Sequence, residues 1–294
     1  MKFVTFSDGA RKGVGLLTDD GYAFFDLTAG GLAIDMLDLI GNFGDRREAM
    51  GSLRTQSPAR PLDSVKIVAP IPTPRRNIFC IGKNYREHAV EFGASGFDSG
   101  TLGGSETPEY PIVFSKPPSA VIGPGEPVKS YLDPYASVDY EGELAIIIGK
   151  SGRVAEDDDP MSFVFGYTII NDVTSRELQR RHKQWLLGKG IDTFAPMGPA
   201  IVVTAAMPDL ASPRIRTFVN GEKRQDARLG DLIFDIPTLV QAIGKSICLQ
   251  AGDIIATGTP VGVGIGFKPP RYLVPGDVVR VEIDGIGSIE NPIG

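Results

Sequence analysis

The 294-residue chain is poor in the residues that most often organise a site or a small fold: it has two cysteines, two histidines and one tryptophan. Cys80 and Cys248 are too few and too far apart for a disulfide framework or a Cys-rich zinc site, and both lie in apolar runs that suit buried free thiols. No apolar run approaches the roughly 18–20 residues of a membrane span. The start, MKFVTFSDGARKG, has no apolar stretch of signal-peptide length, so the expectation is a cytoplasmic protein. Positive charge is also short, with 30 Lys+Arg against 36 Asp+Glu and a net charge of −6. Nucleic acids and anionic membranes attract basic surfaces. A local cluster such as Arg180-Arg181-His182-Lys183 reads more simply as a helix face, so neither partner is expected.

Glycine and proline are abundant instead: 36 and 23 residues, about a fifth of the chain, where average usage is about an eighth. This excess points to strands and turns rather than a helical bundle. Residues 1–70 read as a small N-terminal α+β unit. Val14–Leu17 and Tyr22–Leu27 form a hairpin about Asp20-Gly21. Leu32–Ile40 has a helical pattern, and five prolines between Pro58 and Pro74 mark a linker. Residues 71–294 read as a larger, mainly β domain. Its strand candidates are Ile78–Ile81, Ile112–Ser115, Glu141–Ile148, Phe163–Ile170, Ala200–Val203, Arg214–Val219, Asp253–Thr257 and Val278–Ile283. Helices are predicted after Asn84, with Glu87 completing a capping box, over Ser175–Leu187 and over Ile236–Ile247. Residues 93–109 read as a flexible, lid-like loop. No βαβ rhythm repeats, which argues against a doubly wound sheet or a TIM barrel.

Chemistry concentrates in Asp139-Tyr140-Glu141-Gly142-Glu143, at the head of an apolar run. Residues i and i+2 of a strand share a face, so Glu141 and Glu143, with Asp139, point the same way. Carboxylates so close raise one another's pKa unless a cation compensates. Oxygen ligands without His or Cys favour hard ions, and Asp172, after the strand Phe163–Ile170, is a third candidate ligand. By itself E-x-E is as readily a solvated strand face, and Asp172 a turn residue. His88 and Glu91 meet on one helix face; such a pair either orients a water-activating base or is a surface contact. His182 reads as structural or exposed. Lys116 ends a strand and Lys189 sits between glycines. Each would neutralise a bound carboxylate or a developing enolate, or is a surface lysine. The turn after Ile254–Thr257 is rich in glycine but is neither a P-loop nor a dinucleotide fingerprint. Its N–H groups and Thr259 suit an anion, or make a plain hairpin.

Taken in order, GKNYREHAVEFG, FSKPPSA, DYEGELAIIIG, GYTIINDVTSRELQ, GKGIDTFAPMGP and GDIIATGTPVGVG resemble the fumarylacetoacetate hydrolase family over about residues 76–294. The resemblance implies an α+β fold, a β-roll or mixed β-sandwich catalytic domain behind a small N-terminal domain, commonly a homodimer. It implies Mg²⁺ or Mn²⁺, with Ca²⁺ as a substitute, on Glu141, Glu143 and Asp172. His88 and Glu91 match the water-activating pair and Lys189 the lysine near the substrate's oxygens. Lys116 is taken as a further substrate contact, Gln179 matches a polar contact, Thr259 a substrate-carboxylate contact, and Thr193 a position near a secondary ion. The larger family members carry a further Asp ligand shortly before the histidine. Here that stretch is Ile81-Gly82-Lys83-Asn84, which implies the shorter-chain branch and argues against fumarylacetoacetate as substrate. The implied activity is hydrolysis of a C–C bond in a 2,4-diketo acid or acylpyruvate, giving pyruvate and a carboxylic acid. The rival is isomerisation or decarboxylation of a 2-oxo acid through a metal-bound enolate.

Overall fold

The computed structural model describes residues 1–96 and 107–294; much of the loop expected over 93–109 lies outside them. The fold is α+β. Its core is a strongly apolar, mainly antiparallel sheet whose middle strand is Gly142–Ile148, GELAIII, buried at every position. Such a strand is covered on both faces, which is why its sequence does not alternate. It pairs antiparallel with Val164–Asn171 on one side and with Ile254–Ala256 on the other. Beyond Ile254–Ala256 come Ile78–Gly82, paired in parallel, and Ile112–Lys116. Beyond Val164–Asn171 come Ala195–Val203 and then Lys2–Ser7, so the N-terminal strands extend the same sheet. The proline-rich stretch expected as a linker supplies the strand Lys66–Val68, paired with Lys2–Ser7. Its prolines flank that strand rather than interrupt it.

A second, four-stranded antiparallel sheet orders Glu222–Arg228, Arg214–Val219, Val278–Ile283 and Gly287–Pro292. Arg214–Val219 and Val278–Ile283 alternate half-buried and buried residues, the mark of a sheet with one face on the core. The two sheets meet closely at Gly142, where an added Cβ would lie 2.9 Å from Val281 Cγ1.

Several local expectations change. Asn84 does not cap the helix Arg86–Ala94; Tyr85 holds that position without a side-chain cap. The Asn84 amide instead bonds to Thr257 and Phe234, tying three segments together. The helix expected over Ser175–Leu187 is two, Arg176–His182 and Leu186–Lys189, broken at Lys183 with φ 57°. Leu186 is exposed. Cys80 is buried as expected, but Cys248 is exposed, because its apolar run follows the helix Ile236–Ser246 at the surface. The Asp20-Gly21 hairpin holds, with Gly21 at φ 77°. A helix over Phe43–Gln56 was not foreseen.

Candidate active site

The three carboxylates converge. One ligand atom from each of Glu141, Glu143 and Asp172 lies within 4.8 Å of the others, and all three residues are buried. Glu143 sits in the buried strand, Glu141 just before it, and Asp172 at the end of its antiparallel partner Val164–Asn171. Pairing Gly142 with Asn171 brings the two strand ends together. The Asp172 N–H donates to the Glu141 carbonyl at 2.8 Å, and the Asn171 side chain accepts from the Glu141 N–H at 2.9 Å.

Asp139 does not join them. Its carboxylate accepts from Arg176 Nε at 2.8 Å and from the N–H groups of Tyr140, Gly264 and Ile265. The chain leaves strand geometry at Tyr140 and Glu141, which turns Asp139 away.

Cations surround the trio. Lys189 Nζ lies 2.8 Å from both Glu141 Oε2 and Asp172 Oδ2. Arg176 reaches Glu141 Oε1 at 2.6 Å. Lys116 Nζ donates to Asp172 Oδ1 at 2.6 Å and to the Val173 carbonyl at 2.9 Å. Neither lysine is on the surface. Lys116, expected at the substrate, is fully buried and absent from the cleft wall. Because its strand lies in the sheet beside Ile78–Gly82, it meets Asp172 from behind.

The electrostatics follow from this packing. Burial alone would raise the Glu141 pKa, but Lys189 and Arg176 outweigh it and hold it down to about 2. Burial, then the charges of Asp172 and Glu141, pushes Glu143 well above the ordinary carboxylate range. Burial lowers the Lys116 pKa, with Asp172 offsetting part of the effect. For Lys189 burial acts the same way, yet Asp172 and Glu141 prevail and raise it. Arg176 is shared with Asp139, and the two lysines pair with Asp172 and Glu141, so the three buried carboxylates have too little positive charge among them for all three to ionise, which is why the Glu143 pKa rises. Three converging carboxylates, oxygen donors alone and short of positive charge, fit a hard divalent ion such as Mg²⁺ or Mn²⁺, with Ca²⁺ as a substitute.

The cleft beside the trio is lined by Ile81, Lys83, His88, Arg176, Gln179 and Thr259, among others. His88 Nδ1 lies 3.2 Å from Glu91 Oε2, one helical turn on. The Glu91 carboxylate also accepts from the Gly262 N–H at 3.1 Å. Gln179 Oε1 accepts from Arg176 at 3.2 Å, which leaves its amide hydrogens as donors. Thr259 spends its hydroxyl proton on the Gly142 carbonyl at 3.0 Å and accepts from Gln225 at 2.8 Å. The substrate-carboxylate contact that the resemblance implies for Thr259 would require this hydroxyl to turn. Thr193 lies apart from the cleft lining; its hydroxyl accepts from the Lys129 N–H at 2.9 Å.

Two residues escaped the sequence reading. Arg176 is fully buried, and its second terminal nitrogen has no hydrogen-bond partner among the described residues. A signal was present: a cation in the first turn of a helix opposes the helix dipole and needs another reason to be there. Gln225, on the second sheet, accepts from the Gly142 N–H at 3.0 Å and donates to Thr259 and to the Pro260 carbonyl. It clasps the strand holding Glu143 to the glycine-rich turn, whose Gly258 N–H donates to Glu143 at 2.8 Å. Nothing local to Gln225 announces this.

Fold and site together define a carboxylate-centred enzyme with hard-metal chemistry. Residues 77–294 match the C-terminal domain of fumarylacetoacetate (FAA) hydrolase, and the chain belongs to that enzyme family. Oxaloacetate tautomerase YisK of Bacillus subtilis is 49% identical over 233 residues, covering 79% of this chain and 74% of the relative. The mitochondrial oxaloacetate tautomerase fahd2 of Xenopus laevis is 36% identical over 308 residues, covering 100% and 90%. Among solved structures, a fumarylacetoacetate hydrolase from Exiguobacterium antarcticum matches with TM-score 0.83 and 37% identity, covering 100% of this chain and 99% of the other. Maleylpyruvate hydrolase from Sphingobium, in complex with manganese(II) ion and pyruvate, matches with TM-score 0.80 and 32% identity, covering 100% and 98%. Among the described residues no helix is long and apolar enough to cross a membrane.

Proposed function

We propose that this chain is a divalent-metal-dependent enzyme of 2-oxo acids that moves a proton at the carbon beside the 2-oxo group, interconverting the keto and enol forms of a 2-oxo dicarboxylate. The observation that carries this reading is one cleft in which His88, held by Glu91, meets Glu141, Arg176 and Lys189. The names of the Bacillus and Xenopus relatives support it. Glu141, Glu143 and Asp172 are the ligands for the divalent ion, which when bound supplies Lewis acidity at the substrate's oxygens. Arg176 and Lys189 add positive charge where an enolate oxygen develops. With Nδ1 engaged by Glu91, His88 has its other ring nitrogen to exchange a proton with the substrate carbon. Gln179 and Thr259 position the bound anion. The working form is a homodimer.

A second reading is hydrolysis of a C–C bond in a 2,4-diketo acid or acylpyruvate, giving pyruvate and a carboxylic acid. The same dyad favours it, because His88 can take its proton from water instead of carbon. The Sphingobium maleylpyruvate hydrolase, similar over its whole length, supports it as well.

One experiment separates them. The protein with Mg²⁺ or Mn²⁺ is added to enol-rich oxaloacetate and the loss of enol absorbance is followed. In parallel, acylpyruvates are scored for released pyruvate. Accelerated enol loss that EDTA abolishes and added ion restores is the expected result. Pyruvate release without enol acceleration replaces the first reading by the second, and inactivity on both substrates sinks the two together.

A further inference from the structure

Asp139 stands two residues before Glu141 yet holds no place among the ion's ligands. It is fully buried, and so is Arg176, the cation it pairs with. Its Oδ2 accepts from Arg176 Nε at 2.8 Å and from the Ile265 N–H at 3.1 Å. Its Oδ1 accepts from the Tyr140 N–H at 2.9 Å and from the Gly264 N–H at 2.7 Å. Each oxygen thus takes two donors, which fills the carboxylate's capacity. Apart from Arg176 these donors are backbone groups, so the carboxylate cannot turn to follow the arginine, and the arginine must follow it. The glycine-rich turn closes directly on this group: a Cβ at Gly264 would lie 2.6 Å from Asp139 Oδ1.

Arg176 is held along its whole length. Its backbone N–H donates to the Ser137 carbonyl at 3.1 Å, and the short strand before it pairs Thr174 with Asp139. Its Nε is on Asp139, and its Nη1 lies 2.6 Å from Glu141 Oε1 and 3.2 Å from Gln179 Oε1. Nη2 alone has no hydrogen-bond partner among the described residues, on a side chain that lines the cleft. The guanidinium is a rigid plane, so fixing Nε and Nη1 also fixes where Nη2 points. Burial works against the charge, but Asp139, ahead of Glu141, outweighs it and raises the Arg176 pKa.

Resting on the 2-oxo acid reading above, we infer that Asp139 is a positioning residue of this site: it locks the Arg176 guanidinium so that Nη2 meets the negative charge developing on the substrate's enolate oxygen. Glu141 cannot do this alone. A single contact at Nη1 leaves the guanidinium free to swing about it, and Glu141 is itself engaged by Lys189 and reserved for the ion. A second contact at Nε, on a carboxylate that the backbone holds still, removes that freedom. A donor fixed in advance stabilises developing charge without reorganising as the charge appears.

The test compares pyruvate with oxalate, a planar dianion that carries negative charge where an enolate oxygen would. Each is titrated calorimetrically into protein saturated with Mn²⁺. Asp139→Asn presents an amide NH₂ that cannot accept from Arg176 Nε. Oxalate binding should weaken about 30-fold, the size of a charge-assisted hydrogen bond, and pyruvate binding far less. Arg176→Lys keeps the charge but has no fork, and should lose the same preference for oxalate. Adding Asp139→Asn to it should cost oxalate nothing more. Equal weakening of the two ligands by Asp139→Asn, or the same oxalate loss with and without Arg176→Lys, makes Asp139 a merely structural residue and overturns the inference. If Asp139→Asn does not fold, Arg176→Ala carries the test. Millimolar guanidinium should restore its oxalate binding and methylammonium should not, because Asp139 and Glu141 cradle a planar fork; rescue by both cations or by neither overturns the inference. Because binding is read without turnover, a protein that shows this coupling but leaves enol-oxaloacetate untouched fails the catalytic reading and keeps Asp139 in its role.

Discussion

The floor of the cleft and its rim are held in place by different means. The floor is made of charged side chains that are each other's partners. Asp172, Lys116 and Arg176 have no side-chain exposure, and Lys189 and Glu141 have 2% and 6%. Glu141 and Asp172 stand at the ends of strands in the centre of the sheet, Lys116 on its outermost strand and Arg176 and Lys189 on two short helices, so the carboxylates inherit their geometry from the hydrophobic core and the cations close on them from its edge. The rim is the helix Arg86–Ala94, nine residues with Val90 exposed. It rests on a small satellite cluster of Phe92, Val263 and Ile265, and on the Glu91 bond to Gly262. Damage to the floor should therefore reach folding and ion binding together. Damage to the imidazole of the rim should reach the rate alone.

The largest effect expected is on the floor. Asp172→Asn removes the charge that both Lys116 and Lys189 face, leaving two buried ammonium groups with poorer partners. Breaking a buried ion pair on one side costs about 3–5 kcal/mol, which for a chain of this size is a fall in Tm of roughly 10 °C. The same variant should lose Mn²⁺ binding and activity. Melting curves with and without Mn²⁺ check this. A variant that melts like wild type yet fails to bind the ion would separate the ligand role from the structural one and erase the proposed contrast.

At the rim, His88→Asn should lower the rate by about 10²–10⁴, the usual contribution of a positioned acid–base group. Tm and Mn²⁺ affinity should stay at wild-type values, because no floor residue bonds to the imidazole among the described residues. Calorimetric Mn²⁺ titration beside steady-state kinetics makes the comparison. A fall in ion affinity would show that floor and rim form one cooperative unit.

The same contrast explains what could be read from sequence. Glu141 and Glu143 were visible because strand periodicity is local, and Asp172 because an acid stands where an apolar strand ends. His88 and Glu91 were visible because i,i+3 residues meet on a helix. Gln225 was not, since its partners lie 34 and 83 residues away. The capping box at Asn84 failed because a tertiary contact won the amide. The helix Phe43–Gln56 was missed because it fully buries only Met50 and so writes no apolar stripe. Lys116 looked like a surface lysine because a buried ammonium is recognisable only once its carboxylate has been placed opposite it.

Glu91 gives the finest division within the rim, because it has two separable tasks. One is to hold the imidazole through Nδ1; the other is to anchor the glycine-rich segment through the Gly262 N–H. Glu91→Gln keeps an amide oxygen to accept from Gly262 but removes the negative charge beside His88. If charge on the dyad is what matters, kcat should fall about 30-fold, the 2 kcal/mol of a charge-assisted hydrogen bond. Tm and Mn²⁺ affinity should not move. Glu91→Ala breaks both bonds, and the segment it releases also carries the Gly258 N–H that holds Glu143. Its Mn²⁺ affinity should therefore weaken as well. Equal kinetics and equal ion affinity in the two variants would mean that Glu91 acts on the imidazole alone, and that the rim does not reach the floor through the glycine-rich turn.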